Sequence, residues 1–178
     1  LIRRYCGAFT PKDCKEIIGK TIGKSFYFLK DYRNAIAFYE PAIAISKKYN
    51  YKDNYYLGVS YFKFENYELA NFNLNKVINL SPKSDFASSA YGYKGIISFN
   101  GKDYKKAINY FDKALKLNPK DDGTFNNRGV AKDKLGNFEG AIEDYTISIS
   151  LDKREPKGFI RYGNRILSYI CLLYTSDA

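Results

Sequence analysis

From Tyr104 to Leu115 the apolar positions fall at Tyr104, Ala107, Ile108, Phe111, Ala114 and Leu115, with polar residues between them. A stripe of period near 3.6 predicts an amphipathic helix with one buried face. Asp103 stands immediately before it, and Asp31, Asn66 and Asn137 stand before three similar stretches. Short polar side chains accept a backbone N–H at a helix start, so these four predict N-caps. Each cap is preceded by another apolar stretch, which makes the local unit a helix, a polar turn and a second helix.

The units share a register. Ala35, Ala70, Ala107 and Ala141 are separated by 35, 37 and 34 residues, and Gly23, Gly58, Gly95 and Gly129 each lie twelve residues before one of them. Periods of this size belong to stacked helical hairpins, none of which can bury its apolar face alone. Glycine in the first helix and alanine in the second let the backbones approach where the two cross. Pro82 and Pro119 close the second and third units, and Gly163 opens a fifth. The units run over about 16–49, 51–84, 88–121 and 122–155, with a partial unit at 156–170, so that 1–170 is one repeat array.

Departures from the pattern carry their own expectations. Pro41 falls inside the second helix of the first unit and is expected on its outer face with a kink, since proline removes a helical hydrogen bond. Thr10-Pro11-Lys12-Asp13 resembles a helix start, and Pro156 opens the fifth unit. Residues 171–178, CLLYTSDA, have no place in the repeat and read as a non-native tail, the in-frame translation of a sequencing transposon end. Starting at Leu1 with no methionine, the chain reads as a piece of a longer product.

Composition narrows the chemistry. The formal charge of +10 comes from 22 lysines and 7 arginines, in a residue set rich in Asn, Ile, Tyr and Phe that AT-rich codons supply. Scarcity of arginine, the bidentate reader of guanine, lowers the case for nucleic acid. No apolar run reaches the roughly 18 residues of a membrane span, so a soluble chain without a membrane partner is expected. Cys6, Cys14 and Cys171 lack metal-ligand spacing and histidine is absent, which predicts free thiols, a reducing compartment such as the cytoplasm, and neither metal nor cofactor. No nucleophile and base pair, carboxylate pair or phosphate loop is present, so an enzyme is not expected; Glu143 and Asp144 read as a solvated helix face.

The hairpin pattern resembles the tetratricopeptide repeat family, over roughly Lys12 to Tyr169. That family places an aromatic, a leucine-like residue and glycine in helix A, then alanine, aromatic, alanine and proline in helix B. The third unit has Tyr91, Lys94, Gly95, Ala107, Phe111, Ala114 and Pro119; the fourth has Phe125, Arg128, Gly129, Ala141, Tyr145 and Ser148. The leucine is replaced in both, by Lys94 and Arg128, but Ile22 and Leu57 keep it earlier. The resemblance implies an all-α, right-handed α-solenoid whose concave side is lined by helix A and binds an extended peptide.

Carried onto this chain, the resemblance puts Lys20, Lys24, Lys52, Tyr55, Tyr56, Tyr93, Asn126, Asn127, Lys157 and Arg161 in a peptide groove. Val59, Ile96, Phe99 and Val130 would stand beside them, and Asp133 would be the one acid among seven bases. Bases gathered in a concavity favour an anionic partner, so the expected ligand is an acidic peptide. Some family members grip a chaperone's terminal carboxylate with two lysines, two asparagines and an arginine. Asn127, Lys157 and Arg161 match three of those places, while Gly92 and Ile96 depart from the other two. A structural segment of a longer array or an oligomer, and less readily a polyanion or nucleic-acid binder, are the alternative readings.

Overall fold

The computed structural model describes residues 11–46, 50–152 and 159–176. Among them are nine helices and no strand. They divide into two compact units, residues 1–82 and 83–178. In the first unit α1 (Pro11–Phe28) pairs with α2 (Tyr32–Ala44), and α3 (Tyr51–Lys63) with α4 (Tyr67–Leu80). In the second, α5 (Asp85–Asn100) pairs with α6 (Tyr104–Leu117) and α7 (Asp122–Asp133) with α8 (Phe138–Leu151). The last helix, α9 (Phe159–Ser176), packs on α8. Within each unit the hairpins stack as in an α-solenoid.

The four expected caps form. Asp31, Asn66, Asp103 and Asn137 each accept the backbone N–H three residues on, at 3.0–3.1 Å. The same four residues also close the helix before them. Asp103 donates its N–H to the Ser98 carbonyl at 3.0 Å and Lys102 to that of Phe99 at 2.8 Å. This is the Schellman arrangement, and it recurs at Asp31, Asn66 and Asn137. One residue therefore ends helix A and starts helix B, which holds each turn to a fixed shape.

The motif needs a left-handed residue before each cap. Lys30, Glu65 and Lys102 have φ of 61–62°, where the fourth turn has Gly136 at 75°. A side chain in this region costs roughly 1–2 kcal/mol, partly offset because glycine loses more entropy on folding. Lys102→Gly should therefore stabilise the chain by about 0.5–1 kcal/mol, and Gly136→Lys should destabilise it by a similar amount. Denaturant titration of both variants reads the sign, and a loss of stability in Lys102→Gly would contradict the account.

Where the helices of a hairpin cross, Ala35, Ala70, Ala107 and Ala141 are fully buried. A Cβ at Gly23, Gly95 or Gly129 would come within 2.7 Å or less of the ring of Tyr39, Phe111 or Tyr145. The glycine and alanine register is thus the core itself. Pro41 is exposed, as expected, and α2 runs through it to Ala44.

Two polar residues replace the leucine of the repeat, each with a different solution. Lys94 is buried beside the ring of Tyr110, 4.9 Å from its centroid, and burial together with Lys106 and Lys113 lowers its pKa. Arg128 grips Asp144 through Nε at 2.8 Å and Nη2 at 2.6 Å, and reaches Asp112 at 2.7 Å. Lys132 adds a contact to Asp144 at 2.9 Å. Asp144 is 1% exposed, which corrects the expectation of a solvated side chain. At this leucine place the half-buried Arg128 is paired with the buried Asp144.

Cys14 is buried and disulfide-bonded, against the expectation of free thiols; absent metal-ligand spacing does not decide which thiols the fold brings together. Cys171 is an exposed thiol outside any disulfide. Residues 171–176, read as a non-native tail, continue α9. Thr10, Pro156 and Lys157 lie outside the described residues. No described helix is long and apolar enough to cross a membrane.

Candidate peptide-binding face

The candidate residues lie on the first helix of each hairpin, and the two units are built differently. In the first, Lys24 on α1 is exposed and its Nζ lies 5.8 Å from the Tyr56 ring centroid and 6.0 Å from that of Phe28. Tyr56 on α3 is half-buried in an aromatic cluster, with ring centroids 4.8 Å from Tyr27, 5.8 Å from Tyr55 and 6.2 Å from Tyr39. Tyr39 is fully buried, its hydroxyl has no hydrogen-bond partner, and desolvation raises its pKa. Lys52 is exposed one turn earlier on α3, beside the Tyr51 ring. Tyr56 therefore serves both packing and surface, whereas Lys24 and Lys52 are exposed.

Lys20 is placed otherwise. Its Nζ meets Glu16 at 2.7 Å, Ser46 at 2.9 Å and Asp53 at 3.3 Å. Hydrogen bonds from Lys20 and Ser46 hold the Glu16 carboxyl below its ordinary pKa. The Lys20 charge is thus committed to a tie between α1 and α3. Val59, expected on the concave side, is 1% exposed and belongs to the core.

In the second unit, Ile96, Phe99 and Asn100 on α5, Phe111 on α6, and Asn127 and Val130 on α7 line a cavity of about 240 Å³. Ile96, Phe99 and Asn100 share one face because their spacing is three and four residues, and Asn127 and Val130 face them from α7. Buried Phe111 joins the core cluster of Ala107 and Ala131 beneath. Four of the six are residues expected on the concave side. Asn100 and Phe111 were missed; Asn100 lies four residues after Ile96, a signal available in the sequence. Tyr93 and Asn126 are half-buried and do not line the cavity, and Asn126 Oδ1 is buried without a partner.

Arg161 departs most from expectation. Only 9% exposed, it binds Asp122 at 2.5 Å and Asp152 at 2.6 Å, tying α9 to α7 and to the end of α8. It is a buried structural ion pair, and its acids come from other helices, so helix A spacing could not show them. Asp133, counted as a lone groove acid, accepts from Tyr145 at 2.5 Å and Ser168 at 2.7 Å. Two of the seven bases counted there, Lys20 and Arg161, are thus paired with Glu16 and Asp53 and with Asp122 and Asp152. Among the described residues no group of His, Cys, Asp or Glu could hold a metal.

Known proteins meet this architecture at the same residues. Matches to the tetratricopeptide repeat family cover residues 21–49, 54–84, 88–121 and 123–155, each taking in one of the four hairpins. The chain belongs to the tetratricopeptide repeat family. It is similar to a TPR repeat-containing protein of Methanocaldococcus jannaschii, 33% identical over 118 residues, which are 63% of this chain and 19% of that protein. It is also similar to the Hsp70-Hsp90 organizing protein of Triticum aestivum, 34% identical over 70 residues, 39% of this chain and 12% of the relative. This tetratricopeptide repeat chain thus spans about a fifth or less of those relatives. Among solved structures, a MamA protein shares its fold, with TM-score 0.74 over 88% of this chain and 82% of that one at 24% identity.

Proposed function

We propose that this tetratricopeptide repeat chain is a non-enzymatic protein-interaction scaffold that holds an extended, acidic peptide against the first helices of its hairpins. The observation that carries the reading is the surface of the first unit, where exposed Lys24 stands 5.8 Å from the half-buried ring of Tyr56, Tyr55 packs beside that ring, and exposed Lys52 lies one turn earlier on α3. Tyrosines supply broad contact area at low entropic cost, and the two ammonium groups supply the sign. The Hsp70-Hsp90 organizing protein supports the general role. A grip on a terminal carboxylate through Arg161 is not supported, because its guanidinium is already paired with two aspartates. The exposed Ile166, Leu167 and Ile170 of α9 favour a second reading, a structural segment of a longer array or an oligomer.

Location of charge, rather than its total, distinguishes these readings. Lys24→Glu with Lys52→Glu, and the exposed pair Lys105→Glu with Lys116→Glu on α6, change the net charge equally. Charge-assisted contacts are worth about 1.5–3 kcal/mol each, so the first pair should weaken binding at least tenfold. The second pair acts only through screened long-range attraction and should change little at physiological salt. The measurement is titration of a labelled ten-residue peptide alternating glutamate and serine, with folding checked by circular dichroism. Equal losses would make the surface a diffuse polyanion binder, and no binding by the unaltered chain would favour the structural reading.

A further inference from the structure

The third hairpin gathers three lysines around two tyrosine rings, and the peptide-binding reading uses none of them. Lys94 on α5 is 7% exposed, with Nζ 4.9 Å from the Tyr110 ring centroid. Lys113 on α6 is exposed, with Nζ 5.6 Å from the same centroid and 5.9 Å from that of Tyr91. The two rings stack with centroids 6.4 Å apart. Lys106, also exposed, lies four residues before Tyr110 and seven before Lys113, so the three share one face of α6. Burial, and then the charges of Lys106 and Lys113, lower the Lys94 pKa.

The fourth hairpin shows how the same place is satisfied elsewhere in the chain. Lys94 and Arg128 each stand one residue before the register glycine, and Tyr110 and Asp144 each stand three residues after the register alanine. In the fourth hairpin the carboxylate at that place binds the cation. In the third a neutral ring stands there, and Lys106 and Lys113 act on Lys94 with charge of its own sign. Repulsion among gathered ammonium groups is relieved by an anion placed between them. Contact with the ring faces holds two of those groups in position beforehand.

We infer that this cluster binds a phosphoryl group, with Lys106 and Lys113 as its exposed contacts and Lys94 as the buried third. A phosphate monoester brings about two negative charges at neutral pH and three acceptor oxygens, one for each ammonium, where a carboxylate brings a single charge. The site lies within the α5–α6 hairpin and is independent of the acidic-peptide reading.

The test titrates the chain, at physiological salt, with inorganic phosphate and with two labelled ten-residue peptides of alternating glycine and serine, one of which carries a central phosphoserine. Inorganic phosphate and the phosphorylated peptide should bind, the plain peptide should not, and the NMR ring signals of Tyr91 and Tyr110 should move on binding. Lys106→Gln with Lys113→Gln should weaken binding at least tenfold. Lys105→Gln with Lys116→Gln, an equal change of charge on another side of α6, should leave it unaltered, because long-range attraction is screened. Lys94→Leu installs the residue that Leu57 provides in the second hairpin; it should raise the Tm of the phosphate-free chain and weaken phosphate binding at least tenfold. Both ligand sources support the site: a tighter hold on the phosphorylated peptide than on inorganic phosphate assigns it to a phosphorylated protein segment, and the reverse assigns it to a free phosphate compound. No binding of either phosphate probe, equal binding of the two peptides, equal losses from the two lysine pairs, or undiminished binding by folded Lys94→Leu overturns it.

Discussion

Asp144→Ala should lower the unfolding free energy by about 3–5 kcal/mol, the usual cost of leaving one member of a buried ion pair without the other. Asp144 receives two bonds from Arg128 and one from Lys132, all at 2.6–2.9 Å, and its own side chain is almost wholly buried. Removing it strands two cations against the hairpin core, while Asp112, half exposed, can hold only one edge of the guanidinium. Arg128→Leu with Asp144→Ala should recover most of the loss, because the leucine side chain is what this position of the repeat takes elsewhere and no arginine charge remains to be neutralised. Thermal and denaturant unfolding of the single and double variants measure the difference. If the double variant were as unstable as the single one, the cost would lie in lost packing rather than in stranded charge.

Gly95→Ala and Gly163→Ala should move stability in opposite directions, although both glycines hold the same register in their repeats. A Cβ at Gly95 would stand 2.4 Å from Phe111 Cε1, and that ring cannot retreat because it is 1% exposed. Overpacking of this kind costs about 1–3 kcal/mol. A Cβ at Gly163 would meet nothing within 4 Å, so alanine there should add up to about 1 kcal/mol from helix propensity. Calorimetry should show a fall in Tm for the first and a rise for the second. Two shifts of the same sign would mean that register, rather than the crossing helix, sets the need for glycine.

The contrast between these glycines shows what could be read without coordinates. Caps, crossings and hairpin boundaries were legible because each depends on residues within one hairpin, and repetition made the same local physics visible four times. Lys20, Arg161 and Asp144 were misjudged for the opposite reason. Glu16, four residues before Lys20, could be read from helical spacing, but Asp53, Asp122 with Asp152, and Arg128 lie beyond the helix of the residue they pair with. A charged residue on the expected concave face of a helix looks the same in sequence whether it meets solvent or a carboxylate. The lining of the cavity was legible in part, since the family resemblance put Ile96, Phe99, Asn127 and Val130 on the concave side, whereas Phe111 comes up from the second helix.

The ion pairs also bear on how such a chain can have diversified. Arg128 reaches back to Asp112 of the hairpin before it, and Arg161 reaches back to Asp122 in the same way. A hairpin copied to a new position would keep Arg128 with Asp144 and leave Asp112 behind, and a copied Arg161 would leave Asp122 behind. Once these charges were in place, the hairpins of the second unit ceased to be interchangeable parts: their order along the chain is written into matched pairs, and shuffling it would be penalised even if every hairpin kept its own core.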